Sequence, residues 1–199
     1  MAIKKGEWIL LLFNLIYILG FLSYYISIKN YEFIWYIVIM FIILGLVIST
    51  LRKTNFNYLV LWGLSIWGLL HVLGGGLIVN GKVLYGLGLI PIWVTENFYV
   101  LRYDQFVHAY LYFVMIFVIW ALLKKELKDK PRLYIIYPMI VLISIGIGAL
   151  NEVAEFMPVL LLEQTGVGGY YNTAWDIVFN SIGAILGVIV LGWWRKKQD

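Results

Sequence analysis

Both histidines of the chain and four of its acids stand inside otherwise apolar stretches: His71, Asp104, His108, Glu152, Glu155 and Asp176. Ionisable groups are costly in hydrocarbon, so those found there face a bundle interior and mark a function by default. Asp104 and His108 are spaced i,i+4, Glu152 and Glu155 i,i+3, and Asp176 and Asn180 i,i+4. On helices each pair shares one face. Imidazole with carboxylate is a ligand set for zinc, iron or manganese. Di-iron bundles bring glutamates and histidines together from facing helices in the same way. Four carboxylates against two imidazoles, with Arg102 the nearest permanent cation, cannot all stay ionised unaided at low dielectric. Either several are protonated or a cation neutralises them.

Three readings follow from these residues. In the first, His71, His108, Glu152 and Asp176 hold one or two divalent transition metals (zinc, iron or manganese). Glu155 or Asp104 is then the general base, and Arg102 attracts an anionic group. Asn180 is expected to orient the ligands from behind, and Asn151 either does the same or makes an interhelical hydrogen bond. In the second, the cluster passes protons or cations. In the third, it is a structural hydrogen-bonded network. A haem between His71 and His108 ranks below these, because four carboxylates fit poorly beside a porphyrin. Glu163 reads as a solvated loop charge.

The elements that must position these groups are membrane helices. Of the 199 residues, 63% are hydrophobic and 13% charged, and the mean hydropathy is +0.90. Soluble domains have about half apolar and about a quarter charged residues. An all-α polytopic bundle is therefore expected, as one domain over 1–199 with its polar core built from about 60–190. A span needs about 20 apolar residues, and six segments qualify: about 7–28, 33–51, 57–77, 104–123, 133–157 and 173–194. Pro131 and Pro158 punctuate the ends of the fifth. Residues 78–103, rich in glycine and aromatics, read as a non-helical stretch lying on or dipping into the interface, with the 158–172 loop as its partner.

Lys4 and Lys5 precede the first apolar run as in a signal peptide. That run shows no small-residue cleavage pattern, so it reads as a retained span. With the N-terminus inside, cytoplasmic segments hold 12 of the 15 basic residues; Lys29, Lys82 and Arg102 are the exceptions. Both termini are thus expected in the cytoplasm of a multi-pass cell-membrane protein. That topology puts all six ionisable groups at outer-leaflet depth. Gly183 and Gly187 continue the Asp176–Asn180 stripe with a spacing that permits close helix approach. The formal charge of +4 is no nucleic-acid signal in such a chain. The absence of cysteine excludes disulfides and thiolate chemistry.

The segments Arg102-Tyr103-Asp104-Gln105-Phe106-Val107-His108, Asn151-Glu152-Val153-Ala154-Glu155-Phe156 and Trp175-Asp176-Ile177-Val178-Phe179-Asn180-Ser181-Ile182-Gly183 together resemble the YjdF-type family of uncharacterised inner-membrane proteins. More distantly they look like the VanZ-like family linked to glycopeptide resistance. That family similarly pairs a D-x-x-x-H helix, an acidic helix and a late D-x-x-x-N-x-x-G helix. The resemblance spans about residues 60–190 and implies Asp104, His108, Glu152, Glu155, Asp176 and Asn180 as a shared core. VanZ-like sequences more often have Gln where this chain has Glu155.

The leading expectation is a metal-dependent hydrolase or transferase acting on a membrane lipid or lipid-linked envelope substrate. The alternatives are a cation or proton transporter and a non-catalytic module that binds envelope lipid or antibiotic. No nucleic-acid partner is expected, and the number of copies that assemble is left open.

Overall fold

The computed structural model describes residues 4–96, 99–127 and 131–197. Six helices are long and apolar enough to cross a membrane: α1 (Lys5–Ser27), α2 (Tyr31–Thr54), α3 (Tyr58–Gly76), α4 (Tyr103–Leu123), α5 (Leu133–Leu161) and α6 (Tyr170–Lys196). The all-α bundle is thus as expected, and the ends of its helices hold the differences. Asn30 and Asn57 cap α2 and α3 by accepting the N–H groups of Phe33 and Val60, which satisfies amides that a helix start leaves unpaired.

α5 runs through Pro158 to Leu161 rather than stopping before it. A proline inside a helix frees the carbonyl four residues back. Here that carbonyl belongs to Ala154, and the Trp35 indole N–H of α2 donates to it at 3.3 Å. A partner on another helix lets α5 continue.

Between α3 and α4 the chain forms two small antiparallel strand pairs. β1 (Ile78–Val79) pairs with β2 (Lys82–Val83), and β3 (Gly88–Val94) pairs irregularly with β4 (Tyr99–Arg102). Asn80 and Gly81 join the first pair with positive φ of 51° and 74°, the backbone that a two-residue hairpin turn demands. A short 3₁₀ helix, Leu84–Gly86, lies between the pairs.

The packing divides around α3. One apolar core gathers Tyr17, Ile18, Tyr25, Phe33, Ile37 and Val72 from α1, α2 and α3. The other gathers Val60, Val114, Ile116, Ile140, Ala184 and Leu191 from α3 to α6. Asn14 joins α1 to α3 by donating to Ser65 Oγ at 2.7 Å and accepting from Tyr17 at 2.7 Å, polar glue of the kind membrane helices use. The Gly74–Gly76 run ends α3 inside the bundle. Its missing side chains admit the rings of Tyr85, Phe33 and Phe21.

α4 and α6 approach most closely. A Cβ on Gly183 would overlap the carbonyl oxygen of Ala109, and one on Gly187 would come to 2.8 Å from that of Phe113. The two glycines thus press one helix onto the backbone of the other. This sets His108 beside Asn180. A backbone obstacle cannot rotate aside, and overpacking of this kind costs about 1–3 kcal/mol or more. Gly183→Ala is therefore expected to lower the thermal unfolding temperature by several degrees, about 2–4 °C per kcal/mol for a chain this size. Gly20→Ala, whose Cβ meets nothing within 4 Å, serves as the control and should leave it unchanged or raise it slightly, because alanine favours a helix over glycine.

Both chain ends lie at one end of the bundle. There Arg52 clasps Glu7 through two 2.7 Å hydrogen bonds, Lys125 donates to the Lys53 carbonyl at 2.6 Å, and Arg195 lies over the Trp120 ring at 4.5 Å. The strand pairs, His71, the start of α4, the end of α5 and the start of α6 form the opposite end.

Candidate metal centre

At that opposite end four potential ligand atoms converge. His108, Glu152, Glu155 and Asp176 each offer one within 4.8 Å of all the others. They come from α4, α5 and α6. Glu155 Oε1 lies 3.7 Å from His108 Nε2, Glu152 Oε1 lies 3.7 Å from His108 Nδ1, and Asp104 Oδ1 lies 3.6 Å from His108 Nε2. Asp176 is 0% and His108 7% exposed, so water does little to separate these charges.

Three asparagines hold the group in place. His108 Nδ1 is 2.9 Å from Asn180 Oδ1. An amide oxygen only accepts, so Nδ1 carries a proton and Nε2 is the nitrogen turned toward Asp104 and Glu155. Asn151 donates to Glu155 Oε1 at 2.7 Å. Asn172 donates to Asp176 Oδ2 at 2.6 Å and, at the limit of range, to Asp104 Oδ2 at 3.4 Å. Even so, Glu152 Oε1 and Asp176 Oδ1 are buried with no hydrogen-bond partner among the described residues. Buried polar atoms nearly always have partners. Here two orphaned oxygens point into one group, a pattern that a bound cation would resolve.

His71 stands beside this group and outside it. Tyr85 and His71 Nδ1 are 2.5 Å apart, and the imidazole packs against Phe33, Tyr36 and Trp67 at centroid distances of 5.9, 5.3 and 5.6 Å. Burial holds the Tyr85 phenol well above its ordinary range, so it stays protonated and donates to Nδ1. A neutral His71 then bears its own proton on Nε2 and offers an N–H, not a lone pair.

Beside the cluster lies a polar chamber of about 150 Å³. His71, Tyr85, Arg102, Asp104, Glu155 and Glu32 line it. The backbone N–H of Arg102 donates to Gln105 Oε1 at 2.9 Å, which ties the start of α4. Its guanidinium has no ion pair among the described residues. The 166–168 loop covers the chamber, held by the Gly166 N–H, which donates to Glu32 Oε2 at 2.5 Å.

Sequence reasoning omitted Glu32, Tyr85 and Asn172. Glu32 falls one residue before the expected start of the second span and Asn172 one before that of the sixth. Only the i,i+4 spacing of Asn172 to Asp176 carried a readable signal.

A six-span membrane protein with a buried histidine–carboxylate cluster at one end is what the fold and this geometry define. The chain belongs to the family described as predicted membrane protein (DUF2238), whose model matches residues 9–197. The YjdF-type likeness of its polar helices falls within that family. No curated protein and no solved structure matches the chain.

Proposed function

We propose that the protein binds a divalent transition metal through His108 Nε2, Glu152, Glu155 and Asp176, and uses it to hydrolyse or transfer a group on a lipid or lipid-linked substrate. The convergence of one ligand atom from each of four residues, two of which also carry an orphaned buried oxygen, carries this reading. One imidazole with three carboxylates suits zinc, iron or manganese. The ligand set exchanges His71 for Glu155, because Tyr85 occupies Nδ1 of His71. His71 then lines the chamber as a hydrogen-bond donor.

A metal held there would polarise an ester or phosphoryl oxygen and acidify a bound water. Asp104, beside His108 and bordering the chamber, would take the proton, and Arg102 would hold an anionic group. Asn151, Asn172 and Asn180 position ligands, and Asn172 also borders the chamber. The concentration of basic residues at the opposite end supports a cytoplasmic placement of both termini, which would open the chamber toward the outer leaflet. The more distant VanZ-like likeness fits an envelope setting.

Elemental analysis of the purified protein tests this. About one equivalent of zinc, iron or manganese per chain is expected in the wild type. Protein purified without chelator that carries none of them, and takes none up on titration, would remove the proposal's basis.

A further inference from the structure

The chamber lining outside the cluster holds chemistry that a metal centre leaves unused. Glu32, in the first turn of α2, is 8% exposed. Its Oε2 accepts the Gly166 N–H, and its other oxygen has no hydrogen-bond partner among the described residues. Anchoring a loop amide needs a single acceptor, which a neutral glutamine would supply with no charge to bury. The charge is surplus to that task. Phe33, Tyr36 and Tyr85 border the chamber beside it, with the Phe33 ring 5.2 Å from Tyr36 and 5.9 Å from Tyr85. A carboxylate and aromatic rings lining one chamber are a set that recognises an ammonium group.

Arg102 lines the same chamber and makes no ion pair among the described residues, although Glu32, Asp104 and Glu155 border the same space. Opposite charges sharing one small chamber without pairing match a ligand that carries both. We propose that the substrate headgroup is a zwitterionic phospho-amine, its primary ammonium held by Glu32 and the neighbouring rings and its phosphate by Arg102 at the metal side. The placement of the phosphate rests on the metal reading above; the ammonium site does not.

Glu32→Gln tests the ammonium site, since a glutamine oxygen keeps the Gly166 bond and removes only the charge. Purified full-length protein is titrated with phosphatidylethanolamine or phosphatidylglycerol in nanodiscs, and with free O-phosphoethanolamine, while its metal content is measured on the same preparation. The wild type is expected to prefer phosphatidylethanolamine by about tenfold, and Glu32→Gln to bring the two lipids to within about twofold. Binding of free O-phosphoethanolamine as tightly as the lipid would identify a soluble phospho-amine as the source, and binding of the lipid alone a membrane one. Equal binding of the two lipids by the wild type, or a preference that survives Glu32→Gln, would overturn the inference. Protein that carries no metal and takes none up on titration, yet keeps the preference, would overturn the metal reading alone.

Discussion

Chelation is expected to lower the unfolding temperature of the wild type, and Asp176→Asn to abolish that response while making the metal-free protein more stable. The opposite signs come from one geometry. Without a cation, oxygens within 4.8 Å of one another either repel by about 3–4 kcal/mol per ionised pair at an effective dielectric of about 20 or must take up protons to avoid it. The substituted amide keeps an oxygen to accept the hydrogen bond from Asn172, which reaches Oδ2 of Asp176 at 2.6 Å, yet it removes one charge and one strong ligand. Metal present at about 1,000 times its dissociation constant stabilises the folded state by about 4 kcal/mol. At about 2–4 °C per kcal/mol for a chain of this length, that is a shift of roughly 8–16 °C. A structural network predicts the reverse pattern: Asp176→Asn then unfolds earlier, by the same amount with or without chelator. Thermal unfolding of both proteins in detergent, with and without a strong chelator, separates the two, and a wild type indifferent to chelator refutes the metal reading.

The spans were legible because apolar runs long enough to cross a membrane have few other uses. Their ends were less so, for reasons that lie in tertiary contacts. Pro158 reads as a helix boundary until the Trp35 indole is seen to satisfy the Ala154 carbonyl; nothing local to the proline announces a donor 119 residues away from that carbonyl. The convergence of Asp104, His108, Glu152, Glu155, Asp176 and Asn180 could be read from paired spacings, since each helix face is set by i,i+3 and i,i+4 geometry. The same reasoning could not say what occupies the Nδ1 of His71, because Tyr85 arrives from an irregular segment with no period. Glu32 has no charged residue at i+3 or i+4 to mark its face; Tyr36 stands at i+4. Its place in the chamber depends on a loop more than a hundred residues further on.

Replacing the histidines one at a time should split them. His108→Ala is expected to bring bound metal to background, while His71→Ala leaves about one equivalent in place. The imidazole of His108 presents Nε2 to Asp104 and Glu155 at 3.6 and 3.7 Å with its other nitrogen bonded to Asn180, whereas Tyr85 donates to Nδ1 of His71 and leaves its Nε2 as an N–H. Asn180→Leu keeps the bulk at a position 1% exposed but removes the acceptor that sets the tautomer. Loss of such an outer partner weakens metal affinity by about 10–100-fold, so this variant should still fill at high metal and empty on dilution. The graded series of no binding, weakened binding and unchanged binding distinguishes a ligand, its orienting partner and a bystander to the metal. Competition titrations with a chromophoric chelator give the three affinities. If His71→Ala empties the site and Glu155→Gln does not, the ligands are His71, His108, Glu152 and Asp176, and the Tyr85 contact must break when the metal binds.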